Sequence, residues 1–257
     1  TCSLIFAPAG TLNAAPLGAV SDALSLDQPR RGLKAALDRS GDDEIDTGVA
    51  VPEQPAEEEP AAPAPPPRRE KFSPNRQLRL WIAGDSLVVV PGQSLLRRVG
   101  SSPVIEPLGE IDGRIASGLE RPDVFNWFKH TREVVDKDKP RAVVLMFGGN
   151  DDHGFMTGLP EGRELDGFAG PLWTAEYRRR VAAIMDTVTR DGAFLVWIGL
   201  PITRDASQTA RFDTINAIVQ AEAAKRPGRV SYLDTYFYFA GKDGGYAHDL
   251  LVLDDTI

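Results

Sequence analysis

The amino-acid sequence predicts an α/β fold: a central parallel sheet with helices on both faces. Two observations carry that expectation. From about Gln77 onward, short apolar runs alternate with segments whose apolar residues recur at helical spacing, and strands that alternate with helices build right-handed βαβ units. The strongest run, RAVVLMFG (141–148), is apolar throughout, as a strand buried on both faces requires.

LRLWIAG (78–84) reads as the first strand. Pro91 to Val99 reads as a helix with Leu95, Leu96 and Val99 apolar, and PVIEPLG (103–109) as a short strand. Pro122 to about Lys137 reads as a helix carrying Val124, Phe125, Phe128 and Val135; Pro122 would sit in its first turn, where the missing N–H is no loss. RAVVLMFG is the third strand. Ala175 to Arg190 is a helix with Tyr177, Val181, Ile184, Met185 and Val188 on one stripe. AFLVWIGL (193–200), closed by Pro201, is the fourth strand. Asp205 to Lys225 is mostly helix, with Phe212, Ile215, Val219 and Ala223, and RVSYLD (229–234) is the fifth strand. No internal repeat is visible.

Composition sets the outer bounds. A chain of 257 residues that is 42% hydrophobic can bury a sizeable core in one or two domains. The net charge of -8 argues against a nucleic-acid binder, which would carry a basic surface. Cys2 is the single cysteine, which excludes an internal disulfide framework and a cysteine-rich metal site without excluding an oxidising compartment. No group of His, Cys, Asp or Glu has metal-site spacing, so neither metal nor cofactor is expected. His130, His153 and His248 are the only histidines.

The N-terminal third is of a different kind. Residues 1–39 begin with TCSLIFAPA, which is apolar and lacks an initiator Met. It reads either as the tail of a membrane anchor or signal peptide whose beginning is missing, or as a buried strand or disordered end. Short amphipathic helical pieces, broken at Pro29, follow it. Residues 40–76 are first acidic and then rich in Pro, Ala and Glu, with almost no large apolar side chains. Such a segment cannot offset its ordering entropy by burial, so it reads as an extended linker. The globular domain is expected over residues 77–257. A spacer between an apolar N-terminus and that domain suits an extracytoplasmic protein, periplasmic or at the cell surface, held at a membrane.

Three polar signals fall after strands: Gly84-Asp85-Ser86-Leu87, Ser117-Gly118-Leu119 and Gly148-Gly149-Asn150-Asp151. In a parallel sheet such loops lie on one edge and can converge. Here the chain resembles the SGNH, or GDSL, hydrolases, over about Leu78 to Asp234. Gly84 to Leu87 matches the family's GDSL motif, Gly118 is the best match to its second-motif glycine, and Gly148 to Asp151 matches Gly-x-Asn-Asp. SGLERPDVFNW and VLMFGGNDDH look like a bacterial extracytoplasmic subgroup whose domain follows an anchor and a linker. The resemblance implies a flavodoxin-like three-layer αβα sandwich around a five-stranded parallel sheet. It also implies Ser86 as nucleophile and an oxyanion hole made by the backbone N–H groups of Ser86 and Gly118 and the side-chain amide of Asn150. A glycine at 118 would let the backbone approach substrate closely. Asp85 and Asp151 read as loop-bracing residues rather than catalytic ones.

The sequence departs from the family at the general base. The family's Asp-x-x-His has no match after Asp234; His248 is the only histidine there and residue 245 is Gly. Three explanations stand, in this order: the chain continues beyond Ile257, His248 substitutes as base, or the domain has lost turnover and only binds. His153, next to the third motif, reads either as a substrate contact or as a solvent-facing loop residue, and His130 as a helix-surface residue. The expectation is therefore a serine esterase or O-acyltransferase acting on O-acyl groups, such as acetyl, of an extracytoplasmic glycan or similar ester. The alternative is a catalytically inactive SGNH domain that binds glycan or protein. A nucleotide-binding reading is disfavoured because the first loop lacks a glycine-rich phosphate cradle.

Overall fold

Gly84 ends the first strand where two backbones nearly touch: a Cβ there would lie 2.0 Å from the Met146 carbonyl oxygen. Around this point the computed structural model describes residues 70–248. The apolar tail, the amphipathic pieces, residues 40–69 of the linker and everything after His248 lie outside the described residues. Within them, Glu70 pairs with Arg76 and with Arg141, so the stretch before Gln77 is tied to the start of the third predicted strand.

Six strands form one sheet: β1 (Leu78–Gly84), β2 (Ile105–Pro107), β3 (Asp112–Gly113), β4 (Ala142–Met146), β5 (Phe194–Ile198) and β6 (Val230–Leu233). All pairings are parallel, in the order β2–β1–β4–β5–β6. β2 pairs the start of β1 and the two-residue β3 pairs its end, so both occupy one edge position. The five expected strands are therefore present, and β3 is an addition that two residues could not announce. By position the order is doubly wound, and it reverses between β1 and β4. That switch point is where an open α/β sheet forms its crevice.

The helices are α1 (Val89–Val99), α2 (Trp127–Asp138), α3 (Pro171–Thr189), α4 (Ala206–Ala224) and the one-turn α5 (Tyr236–Phe239). Neighbouring residues of β1 show the three layers. A Cβ on Gly92 of α1 would lie 3.1 Å from Ile82, whereas the Trp81 ring meets His130 of α2. α3 packs between α2 and α4. Its stripe of Tyr177, Val181, Ile184, Met185 and Val188 is buried, as its spacing implies; each such side chain contributes roughly 1.5–3 kcal/mol by leaving water. Trp127, Phe147 and Trp197 continue the core under the sheet's carboxyl edge, with ring centroids 4.9 and 5.6 Å apart.

Three expectations need correction. The second helix starts at Trp127, not Pro122, because Asn126 caps it by accepting the Lys129 N–H at 3.0 Å. Residues 121–125 instead turn, with the Val124 N–H donating to the Arg121 carbonyl; a proline fits such a turn as well as a helix start. The third helix starts at Pro171, not Ala175, since the Asp166 carboxylate accepts the N–H groups of Leu172 and Trp173. His130 is partly buried rather than free on the helix surface: its Nε2 lies 2.5 Å from an Asp112 oxygen, and its ring packs edge-on against Trp81, Phe125 and Trp127.

Candidate active site

The first motif loop is organised by Asp85. Its Oδ1 accepts the Leu87 N–H at 2.8 Å, closing a short 3-10 turn over Ser86–Val88. Its Oδ2 reaches across the switch point and accepts the N–H groups of Gly148 at 2.9 Å and Gly149 at 2.8 Å. Burial pushes this carboxyl from 3.8 to about 6, against the pull of those three donors. Ser86 thereby opens a turn at the carboxyl end of β1 and stays partly accessible.

The second loop leaves β3 beside the first. Gly113 is in register with Gly84, and the Arg114 N–H donates to the Gly84 carbonyl at 2.9 Å. Ser117 Oγ donates to the Arg114 carbonyl and accepts the Trp127 Nε1–H at 2.9 Å, which sets the loop on the aromatic core. Its carbonyl accepts the Asn150 Nδ2–H at 2.9 Å.

Asp151 ties the third loop back to the second. One oxygen accepts the Leu119 N–H at 3.0 Å and the Tyr177 hydroxyl at 2.9 Å, and the other accepts the Glu120 N–H at 3.0 Å. Burial, then the charge of Glu120, push its carboxyl up to about 7. A Cβ on Gly118 would lie 2.0 Å from this carboxylate. The close approach that the structure shows at Gly118 is to Asp151, whose carboxylate leaves no room for a side chain there.

The three loops are stitched at neighbouring residues. Gly149, beside Asn150, bonds Asp85, beside Ser86; Asn150 itself bonds Ser117, beside Gly118. Among the described residues the N–H groups of Ser86 and Gly118 donate to no protein acceptor, and Asn150 keeps one amide hydrogen unused. The parallel sheet and the order of these loops along it are as the sequence led one to expect.

The chain belongs to the family described as Protein of unknown function (DUF459). That family matches residues 79–255. No curated protein matches the chain. The fold is similar to an acetylxylan esterase, Axe2, from Geobacillus stearothermophilus, with 17% identity, 63% of this chain and 77% of that one covered, and a TM-score of 0.44. It is similar to a candidate acylhydrolase from Bacteroides fragilis, with 14% identity, 70% and 75% covered, and a TM-score of 0.44. A candidate lipolytic protein of the G-D-S-L family from Desulfitobacterium hafniense gives 15% identity, 66% and 85% covered, and a TM-score of 0.42.

In this DUF459 chain, two buried residues that the sequence did not point to hold the second loop. Glu120 is fully buried; its carboxylate accepts the Trp173 Nε1–H at 2.7 Å and the His153 N–H at 3.1 Å. Arg180 donates to the carbonyls of Leu119 and Thr157, both at 2.7 Å, and to Glu176 at 2.8 Å. Asp151 therefore grips the N–H side of residues 119–120 while Arg180 grips their carbonyl side. The spacing Glu176-x-x-x-Arg180 on an otherwise buried stripe was the one available signal for this pair.

His153 lies 3.3 Å through Nδ1 from the Glu120 carboxylate, with its ring about half exposed at the rim of the third loop. The Glu120 hydrogen bond raises its pKa above 6.5. His248 is the last described residue and is exposed. Among the described residues no hydrogen bond joins the Ser86 hydroxyl to a histidine. No group of three or more His, Cys, Asp or Glu side chains there could hold a metal, and no helix there is long and apolar enough to cross a membrane.

Proposed function

We propose that this protein is a serine esterase or O-acyltransferase, with an O-acylated glycan or a similar ester as substrate. The observation that carries the reading is the stitching of the three loops through Asp85, Asn150 and Asp151. It fixes the surroundings of a hydroxyl and leaves three uncommitted hydrogen-bond donors on the loops around it. Ser86 Oγ would attack the ester carbonyl carbon as its proton passes to a base. The carbonyl oxygen, now an anion, would accept the N–H groups of Ser86 and Gly118 and the Asn150 amide. Collapse would expel the alcohol and leave an acyl group on Ser86. Water then completes a hydrolysis, or a sugar hydroxyl completes a transfer. Among the described residues His248 is the possible substitute base and His153 the possible substrate contact. An extracytoplasmic location, with attachment through the segment before residue 70, goes with the apolar start and the Pro-rich spacer.

Hydrolysis of a short-chain aryl ester by the full chain tests this. Ser86→Ala should abolish turnover, and Asn150→Ala should lower kcat by about 10²–10³, the usual effect of removing one oxyanion donor. Hydrolysis unchanged by Ser86→Ala would overturn the reading and leave the alternative, a domain that binds its ligand without turnover.

A further inference from the structure

A cavity of about 200 Å³ lies between α4 and the segment that follows β6, and the Ser86 chemistry makes no use of it. One wall is a single face of α4, with Asp213 and Gln220 at its two ends. The other is Tyr232 of β6, Asp234 just after it, and Tyr236 and Phe237 of α5.

The lining is chemically unbalanced. It holds two carboxylates and no Lys, Arg or His. Burial, and then the charge of Asp234, raise the pKa of Asp213; burial and both carboxylates raise that of the Tyr232 phenol. Asp234 uses one oxygen on the Tyr236 N–H at 2.9 Å, whereas neither Asp213 nor Gln220 has a hydrogen bond within the described residues. Asn216, midway along the α4 face, is held by the Leu200 N–H and carbonyl and serves as wall. Phe237 is 76% exposed beside this charge.

Two like charges without a counter-charge, set among aromatic rings, fit an organic cation. The carboxylates offset its charge and the rings attract it through their π faces. A hard metal ion would want six or more oxygen ligands, and the aromatic wall provides few. Asp213, Asp234 and the Gln220 carbonyl are acceptors, so the cation should be a donor. That selects a primary ammonium over a quaternary one. The volume suits a body no larger than one sugar ring. We propose that this cavity binds a primary ammonium group on a small polar body, as in an amino sugar. The proposal does not depend on Ser86 acting as a nucleophile.

Calorimetric titration of the full chain with D-glucosamine, N-acetyl-D-glucosamine, ethanolamine and choline tests it. Glucosamine should bind in the millimolar range. N-acetylglucosamine, which lacks the charge, and choline, which lacks the N–H donors, should each bind about tenfold more weakly. Ethanolamine binding as tightly as glucosamine would keep the ammonium site and remove the sugar. Asp213→Asn and Asp234→Asn should each weaken glucosamine by about tenfold; the Asn at 234 keeps the acceptor for Tyr236, so unchanged melting can be verified. Equal binding of glucosamine and N-acetylglucosamine, tighter binding of choline, or no loss in Asp213→Asn would overturn the proposal. Ser86→Ala should leave all these affinities unchanged, which separates this site from the proposed esterase site.

Discussion

Gly118 and Asp151 stand so close that a Cβ on the first would lie 2.0 Å from the carboxylate of the second. Asp151 cannot retreat, because the N–H groups of Leu119 and Glu120 and the hydroxyl of Tyr177 hold it. Gly118→Ala should therefore displace the second loop. Overpacking of this kind costs about 1–3 kcal/mol. The larger effect should be on kcat, through the displaced Gly118 N–H. Denaturant unfolding and aryl-ester kinetics on the same variant check both.

Asp85→Asn keeps the size of the side chain but replaces a carboxylate oxygen with an NH₂ group. Three N–H donors then compete for one acceptor oxygen, or meet the NH₂ directly. Each buried donor left unpaired costs about 1–3 kcal/mol. A clear loss of stability, with Ser86 reactivity falling further than folding alone explains, is the expected outcome. Chemical denaturation and the labelling rate of Ser86 measure the two.

These buried acids also set the pH dependence. The folded carboxyls of Asp85 and Asp151 titrate at about 6 and about 7, above the ordinary 3.8. Between those limits the folded chain holds protons that the unfolded chain has released, so their contribution to stability grows as pH falls through 7 and 6 and is lost as pH rises. His153, raised above 6.5 by Glu120, acts in the same direction at the upper end. Asp112 and Asp123 oppose it only in acid: despite their burial, His130 and Arg121 hold them below 3.8. The melting temperature should be higher near pH 5 than near pH 8. Asp151→Asn should flatten that difference, and a melting temperature that rises toward pH 8 would contradict the assignment.

Arg180 is 1% exposed, and it satisfies carbonyls of the second loop and of Thr157 together with Glu176. Arg180→Met should strand these acceptors. Removing one partner from a buried ionic cluster typically costs about 3–5 kcal/mol. Arg180→Lys should recover only part, because an ammonium cannot reproduce the planar fork. Urea midpoints of the two variants give the comparison.

The sequence made the sheet legible because its strands are written locally. Val143 to Phe147 are apolar without interruption, and Tyr177 to Val188 keep strict helical spacing. The bracing roles of Asp85 and Asp151 were also legible, since an aspartate just after a strand readily accepts loop N–H groups. Helix starts were less so: Pro122 suits a turn and a helix equally, and Asn126 and Asp166 decided the boundaries through side-chain caps. The burial of Glu120, the partial burial of His130 and the contact at Gly118 depend on partners 18 to 53 residues away. No local pattern carries that information. The two-residue β3 left no periodicity to read.

The central claim is that the hydroxyl of Ser86 is a nucleophile. A fluorophosphonate probe incubated with the full chain, followed by peptide mass spectrometry, tests it most directly. A covalent adduct on Ser86, absent after prior denaturation and absent in Ser86→Ala, is the expected result. An unlabelled Ser86 in the folded full chain, or equal labelling of native and denatured protein, would contradict it.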